Sequence, residues 1–422
     1  MSRYSILAAR VGSLVVLLSA IPMGSHAQQP DVSRALEREQ KARGLAALPA
    51  SSGAEIDQIF TSFMAREHPP GLAVAVARNG TVMWDKAFGR ADLQSGVPVT
   101  PRTLFRIGSI TKAITAVAVL QVAERGAINL GTSIEQYVPA FPRKRFPVTL
   151  AELLTGTGGI RGYGGDEYLS SHHYPSLAAS LEMFGNDSLT YEPGTSYVET
   201  PFGFTLLALA LQAVTGHSYE EYLSRNVFAP AHMVETIVDV PAQIVPRRAR
   251  MYTRDSIGTV RNADPIDPSY KVPAGGLLSS ARDVARFGTA LMDGALLSSP
   301  SYARMNTPVR LKNGTELPLG MGVALGSAGG RLPGTSDAIW ATGLQQGGTA
   351  VLLMYPHDRI AVAILMNVNG EPGAAGFALL IRTAVAAESS AVLLRRTPSD
   401  RGRASRKIDS GALEETGGHS RQ

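Results

Sequence analysis

The 422-residue chain has no cysteine. Thiol nucleophiles, zinc–thiolate sites and iron–sulfur clusters are therefore excluded, and the core alone must hold the fold. Long apolar runs are missing as well. The nearest to one, Val11–Ile21, has eleven residues, against the roughly 20 that cross a bilayer. The body of the chain also lacks an excess of either charge. Of the formal +5, Arg3 and Arg10 supply two charges, and residues 391–422, with seven basic and four acidic side chains, supply three. Residues 28–390 are thus close to neutral, and no nucleic-acid partner is expected. There is no H-E-x-x-H pair, G-x-S-x-G elbow, Walker loop or dinucleotide glycine fingerprint. The eight histidines are scattered, and His172-His173 reads as exposed loop. Neither a metal nor a cofactor is expected.

What is present is the composition of a globular protein, 44% hydrophobic and 18% charged, with 43 glycines and 26 prolines marking many turns. Arg3, Arg10, the run Val11–Ile21 and the small residues around Ser25-His26-Ala27 follow the order of a secretory signal peptide. Cleavage after Ala27 and a periplasmic or secreted product are expected, with no stable membrane span in the mature chain. An uncleaved anchor is the rival reading. Residues 28–53 read as a linker, 54–390 as one domain, and 391–422 as a disordered basic tail. Nothing in the sequence specifies an oligomeric state.

Within the domain, a helix is expected at about Ala54–Arg66, followed by a hairpin of Gly71–Arg78 and Thr81–Lys86 around Asn79-Gly80. Ser109–Arg125 reads as a buried helix stopped by Gly126. Further helices are expected at Leu206–Val214 and Val284–Met292. Two apolar runs, Thr349–Tyr355 and Ile360–Asn367, read as a second hairpin, and a last helix is expected at about Ala374–Glu388. Strands, a long helical middle, then strands and a helix predict an α+β domain. Its antiparallel sheet would take strands from both chain ends, and its site would lie where the sheet edge meets the helical region.

The chemistry centres on Phe105-Arg106-Ile107-Gly108-Ser109-Ile110-Thr111-Lys112. At the start of a helix, Ser109 and Lys112 are three residues apart and share a face. A serine hydroxyl needs a neighbouring base, which an amine in a dry site can supply. The helix start also offers a backbone N–H to a developing oxyanion. The plainer reading makes Ser109 an N-cap and Lys112 a solvated surface residue.

The surrounding residues carry a resemblance. Phe105–Ala113 resembles the active-serine segment of class C β-lactamases, DD-peptidases and related carboxylesterases. The stretch Leu153-Leu154-Thr155-Gly156-Thr157-Gly158-Gly159-Ile160 resembles that family's LLTHTSGI turn. Glu192-Pro193-Gly194-Thr195, Gly275–Ser280 and Trp340-Ala341-Thr342-Gly343 match later landmarks. The resemblance runs through residues 54–390 and implies a β-lactamase/transpeptidase-like fold. It also implies acyl transfer through Ser109, with Lys112 as base or proton shuttle and the backbone amides of Ser109 and Leu344 as oxyanion hole. Ala341, Thr342 and Gly343 would line the substrate, a small-molecule ester or amide or a peptidoglycan-like compound.

The match breaks at the side chains around that pair. Where the family has Tyr-x-Asn, this chain has Glu199-Thr200-Pro201. A slip of two residues would instead bring Tyr197 to the tyrosine position. If Glu199 faces Lys112, its carboxylate either acts as a general base or holds the lysine as a cation. Ala341 replaces the His or Lys before Thr-Gly, and Gly156 and Gly158 replace the His and Ser of LLTHTSGI. Two functions remain open: a serine hydrolase of esterase or amidase type, or a catalytically impaired relative that binds a ligand in the envelope.

Overall fold

Two hairpins from distant parts of the chain lie side by side in one sheet. The computed structural model describes residues 50–326 and 338–369. Helix α1 (Ala50–Glu67) leads into β1 (Gly71–Arg78), β2 (Thr81–Asp92) and β3 (Val97–Pro98). Then come β4 (Phe105–Arg106), α2 (Ile110–Glu124), α3 (Phe202–Thr215), β5 (Ile237–Val238), β6 (Leu277–Ser279) and α4 (Ala281–Met292). The sheet is completed by β7 (Ala324–Leu325), β8 (Ile339–Gln345), β9 (Gly348–Tyr355) and β10 (Ile360–Met366). Its order is β7-β8-β9-β10-β1-β2-β3, antiparallel throughout. The expected α+β architecture, with strands from both ends and a helical insertion, is the one observed.

Local chemistry sets the element ends. Asn79 and Gly80 both take positive φ, 48° and 76°, which matches the twist of a two-residue hairpin. The Thr81 strand runs on to Asp92, past the expected Lys86, because it pairs with β1 along its length and then with β3. Helix α1 begins at Ala50, four residues before expectation. Helix α3 runs beyond the expected Leu206–Val214, from a Pro201 N-cap to Gly216 at φ 68°. Helix α4 begins at Ala281 because the Ser280 hydroxyl accepts the Asp283 amide.

Both faces of the sheet are covered, so its central strands are apolar without interruption. All seven residues of β10 are buried. On β1, Leu72, Val74 and Val76 pack toward Phe60 and Phe63 of α1, while Ala73, Ala75 and Ala77 join the cluster containing Phe287 of α4. The alanines let α4 lie close: a β-carbon on Gly288 would come within 2.8 Å of the Ala361 β-carbon. Helix α2, carrying the candidate serine, is buried at twelve positions and packs between α3, the turn Val272–Gly275 and the sheet.

Among the described residues no helix is long and apolar enough to cross a membrane. The signal segment, residues 28–49 of the linker, the helix expected at Ala374–Glu388 and the tail lie outside the described residues.

Candidate active site

Two glycines bring the serine turn and strand β8 into backbone contact. Gly108 takes φ 49°, and a β-carbon on it would lie 2.7 Å from the Leu344 nitrogen and 2.9 Å from its oxygen. A β-carbon on Gly343 would lie 1.8 Å from the Ile107 oxygen and 3.1 Å from the Ser109 nitrogen. No larger residue fits at either position, so the amides of Ser109 and Leu344 are held at one junction. Leu344 pairs with Thr349, one step from the turn pair Gln345–Gly348. By the alternation of an antiparallel ladder, the Leu344 N–H points away from β9, toward the serine turn. The Ser109 N–H belongs to the first turn, whose amides have no partner inside the helix.

A buried arginine ties the same two segments together. Arg106, 8% exposed, donates from Nε to Asp239 Oδ2 at 2.7 Å and from Nη1 to the Gln346 carbonyl at 2.8 Å. The guanidinium thereby spans from the strand before Ser109 to the hairpin after Leu344. The sequence motif gives this arginine no role. Its signal was a charge between Phe105 and Ile107 in an apolar strand.

Ser109 stands at the N-cap of α2, but its hydroxyl accepts no bond from the helix. Instead it points toward Glu199 Oε1 at 3.5 Å, the outer limit of a hydrogen bond. Lys112 Nζ donates to that same oxygen at 2.7 Å. The Lys112 side chain is 12% exposed and lies 5.7 Å from the Phe204 ring centroid, so it is no solvated surface lysine. One carboxylate oxygen thus meets both members of the Ser–Lys pair.

The glycine-rich turn fixes Glu199. Its Gly156 and Thr157 carbonyls accept the Val198 and Gly194 amides at 3.0 and 2.8 Å, and the Thr200 hydroxyl donates to the Arg161 carbonyl at 2.5 Å. Pro201 then starts α3, where its missing N–H costs nothing. Tyr197 goes elsewhere. Its ring lies over Gly156, where φ is 71° and a β-carbon would come 2.7 Å from Cε2. Burial, then the nearby Glu199 and Tyr191, raise the Tyr197 phenol far above its ordinary range. The structure therefore brings Glu199, not Tyr197, onto Lys112.

The other departures have packing reasons. A β-carbon on Gly158 would lie 2.8 Å from Val148 Cγ1, so a serine there would have no room. Ala341 is buried in the core, whereas Thr342 and Leu344 are half-buried on the alternate side of β8. No cationic side chain stands in that strand. His172 and His173 are exposed, and among the described residues no three His, Asp or Glu side chains are grouped to hold a metal ion.

A sequence profile of the Beta-lactamase family matches residues 56–386. The serine beta-lactamase-like protein LACTB, mitochondrial, of Bos taurus is 26% identical over 299 residues, 53% of this chain and 54% of that protein. The putative penicillin-binding protein PbpX of Bacillus subtilis is 33% identical over 256 residues, 60% of this chain and 62% of that protein. The chain thus spans about half to two-thirds of the length of these relatives. Among solved structures, a penicillin binding protein from Bacillus halodurans superposes with a TM-score of 0.66 at 23% identity, over 76% of this chain and 98% of that one.

Proposed function

We propose, for a chain that belongs to the β-lactamase family of serine hydrolases, an esterase or amidase activity that passes through an acyl-enzyme on Ser109. The single observation that carries this reading is the shared carboxylate oxygen, 3.5 Å from Ser109 Oγ and 2.7 Å from Lys112 Nζ. Glu199 takes the serine proton as Oγ attacks the substrate carbonyl. Lys112, as the ammonium partner, holds that carboxylate in place. Hydroxyl-to-base contacts in an empty site are commonly long and tighten when substrate binds. The carbonyl oxygen, now an alkoxide, accepts the amides of Ser109 and Leu344. Collapse of this adduct breaks the bond to the leaving alcohol or amine, which receives its proton from Glu199. Water then attacks the acyl-serine as Glu199 takes its proton; collapse breaks the bond between the acyl carbon and Ser109 Oγ, Oγ recovers the proton from Glu199, and the acid leaves.

The strand beside the serine bears Ala341 rather than a cation, so nothing there pairs with a substrate carboxylate. This favours small neutral acyl esters and amides over β-lactams and peptide C-termini. The N-terminal segment supports action outside the cytoplasm, in the periplasm or medium. The same ion pair also supports a second reading, in which Glu199 restrains Lys112 and the protein only binds its ligand. Intact mass after fluorophosphonate treatment separates the two. One adduct on the wild type, absent from Ser109→Ala, is expected; a folded wild-type protein that takes none points to the binding protein.

A further inference from the structure

Lys271 is a buried amine with no acidic partner among the described residues. It is 1% exposed and stands just before the turn Val272–Gly275, which packs against α2 through the bond from Thr115 Oγ1 to the Pro273 carbonyl at 2.6 Å. Its Nζ donates to the Tyr168 carbonyl at 3.1 Å. Three ring centroids surround it: Tyr168 at 4.5 Å, with Tyr163 and Tyr270 each at 5.1 Å. Among the described residues no carboxylate pairs with it. Burial, then the charge of Arg106, push the amine well below the ordinary lysine range. A methylene chain of the same length would fill this space without the desolvation penalty, so the amine calls for an explanation beyond packing.

Two walls of the site meet at this amine. One is the Val272–Gly275 turn, whose Gly275 approaches the Gly108 backbone, a β-carbon there lying 3.6 Å from the Gly108 carbonyl carbon. The other is the loop that carries Tyr163 and Tyr168. That loop adjoins Glu199: a β-carbon on Gly162 would lie 3.4 Å from the Glu199 main-chain carbonyl oxygen, and the Glu199 charge reaches Tyr163. Tyr163 is 40% exposed, its ring held edge-on to Phe202 at 6.1 Å and Tyr168 at 5.3 Å.

We propose that Lys271 is a positioning residue that seats Tyr163 as the wall of the acyl pocket beside Glu199, and so sets which acyl groups reach Ser109. The inference rests on the hydrolase reading for its substrate, but not for the seating itself. The amine is suited to the task because it draws one carbonyl and three ring faces of two separate segments onto a single point. An apolar side chain packs there without fixing their relative depth.

The test uses the full chain as wild type, Lys271→Met, Tyr163→Ala and the double variant. Amide exchange of residues 161–170 and the ratio of kcat/KM for p-nitrophenyl hexanoate over acetate are read on each. Lys271→Met is expected to speed exchange in 161–170 while the melting transition stays cooperative, and to shift the hexanoate/acetate ratio about tenfold. The double variant should shift the ratio no further than Tyr163→Ala alone, because both changes remove one wall. A purely structural lysine would lower both esters together and leave the ratio unmoved. A folded Lys271→Met with unchanged exchange and an unchanged ratio overturns the proposal. Should Lys271→Met not fold, an unchanged ratio in Tyr163→Ala overturns it as well. If wild-type Ser109 proves inert, the hydrolase reading falls, while exchange at 161–170 still decides the role of Lys271.

Discussion

On one side of Ser109 the site is made of main chain, and on the other of side chains. The main-chain side is the junction of Ile107–Ser109 with Gly343–Leu344, where two glycines permit contact and Arg106 ties the segments. The side-chain side is Lys112 on α2 and Glu199, whose segment is held by the turn from Gly156 to Gly162. The first follows the pattern the family leads one to expect; the second has been rewritten. Backbone donors survive changes of residue identity as long as the chain path is kept, whereas proton transfer depends on which group sits at each position. On the proposed reading, this chain keeps the family's way of stabilising an oxyanion while the group that activates the nucleophile changes.

Among changes to the framework that holds the site, damage to the main-chain side should have the largest effect. In Gly343→Ala the new β-carbon would sit 1.8 Å from the Ile107 oxygen, so the serine turn and β8 must separate. Covalent labelling of Ser109, followed by mass against time, is expected to slow about 10²–10³-fold, as when an oxyanion donor is lost. The side-chain support should be softer. Gly156→Ala meets both φ 71° and the Tyr197 ring at 2.7 Å, and is expected to cost about 1–3 kcal/mol in urea unfolding. Labelling should slow as well, because Glu199 hangs from the same turn.

The smallest effect belongs to the shared wall. Burial and Arg106 lower the Lys271 amine, so the native state holds that proton less tightly than the unfolded chain does. Wild-type stability should therefore rise with pH from the native value of this amine toward the ordinary lysine value of about 10.4. Lys271→Met lacks this term. Its melting temperature relative to the wild type should be highest at low pH and fall by roughly 2–4 °C for each kcal/mol regained as pH rises, read by scanning calorimetry.

Much of the main-chain side was legible in the sequence, because glycines, hairpin turns and apolar runs act locally. Asn79-Gly80, Gly126 and the Ser109 helix behave as their neighbours dictate. Helix ends were less legible, since Pro201 and Ser280 extend α3 and α4 through caps that hydrophobic spacing does not reveal. Counting along the motif puts Glu199 opposite Lys112, with Tyr197 as the alternative. What separates the two is the Tyr197 ring lying over Gly156, a contact between segments some forty residues apart. The Lys271 cage joins Tyr163 and Tyr168 to residues about a hundred positions away, and no local pattern announces it.

The central claim is that Glu199 activates Ser109 rather than restraining Lys112. It is tested most directly by the labelling rate of Glu199→Gln, which keeps the shape of the side chain and removes its basicity. A fall of about 10²–10⁴ in the rate of adduct formation at Ser109, on a protein with wild-type melting behaviour, is the predicted result. A Glu199→Gln protein labelled as fast as the wild type, or faster, would contradict the account and return the role of base to Lys112.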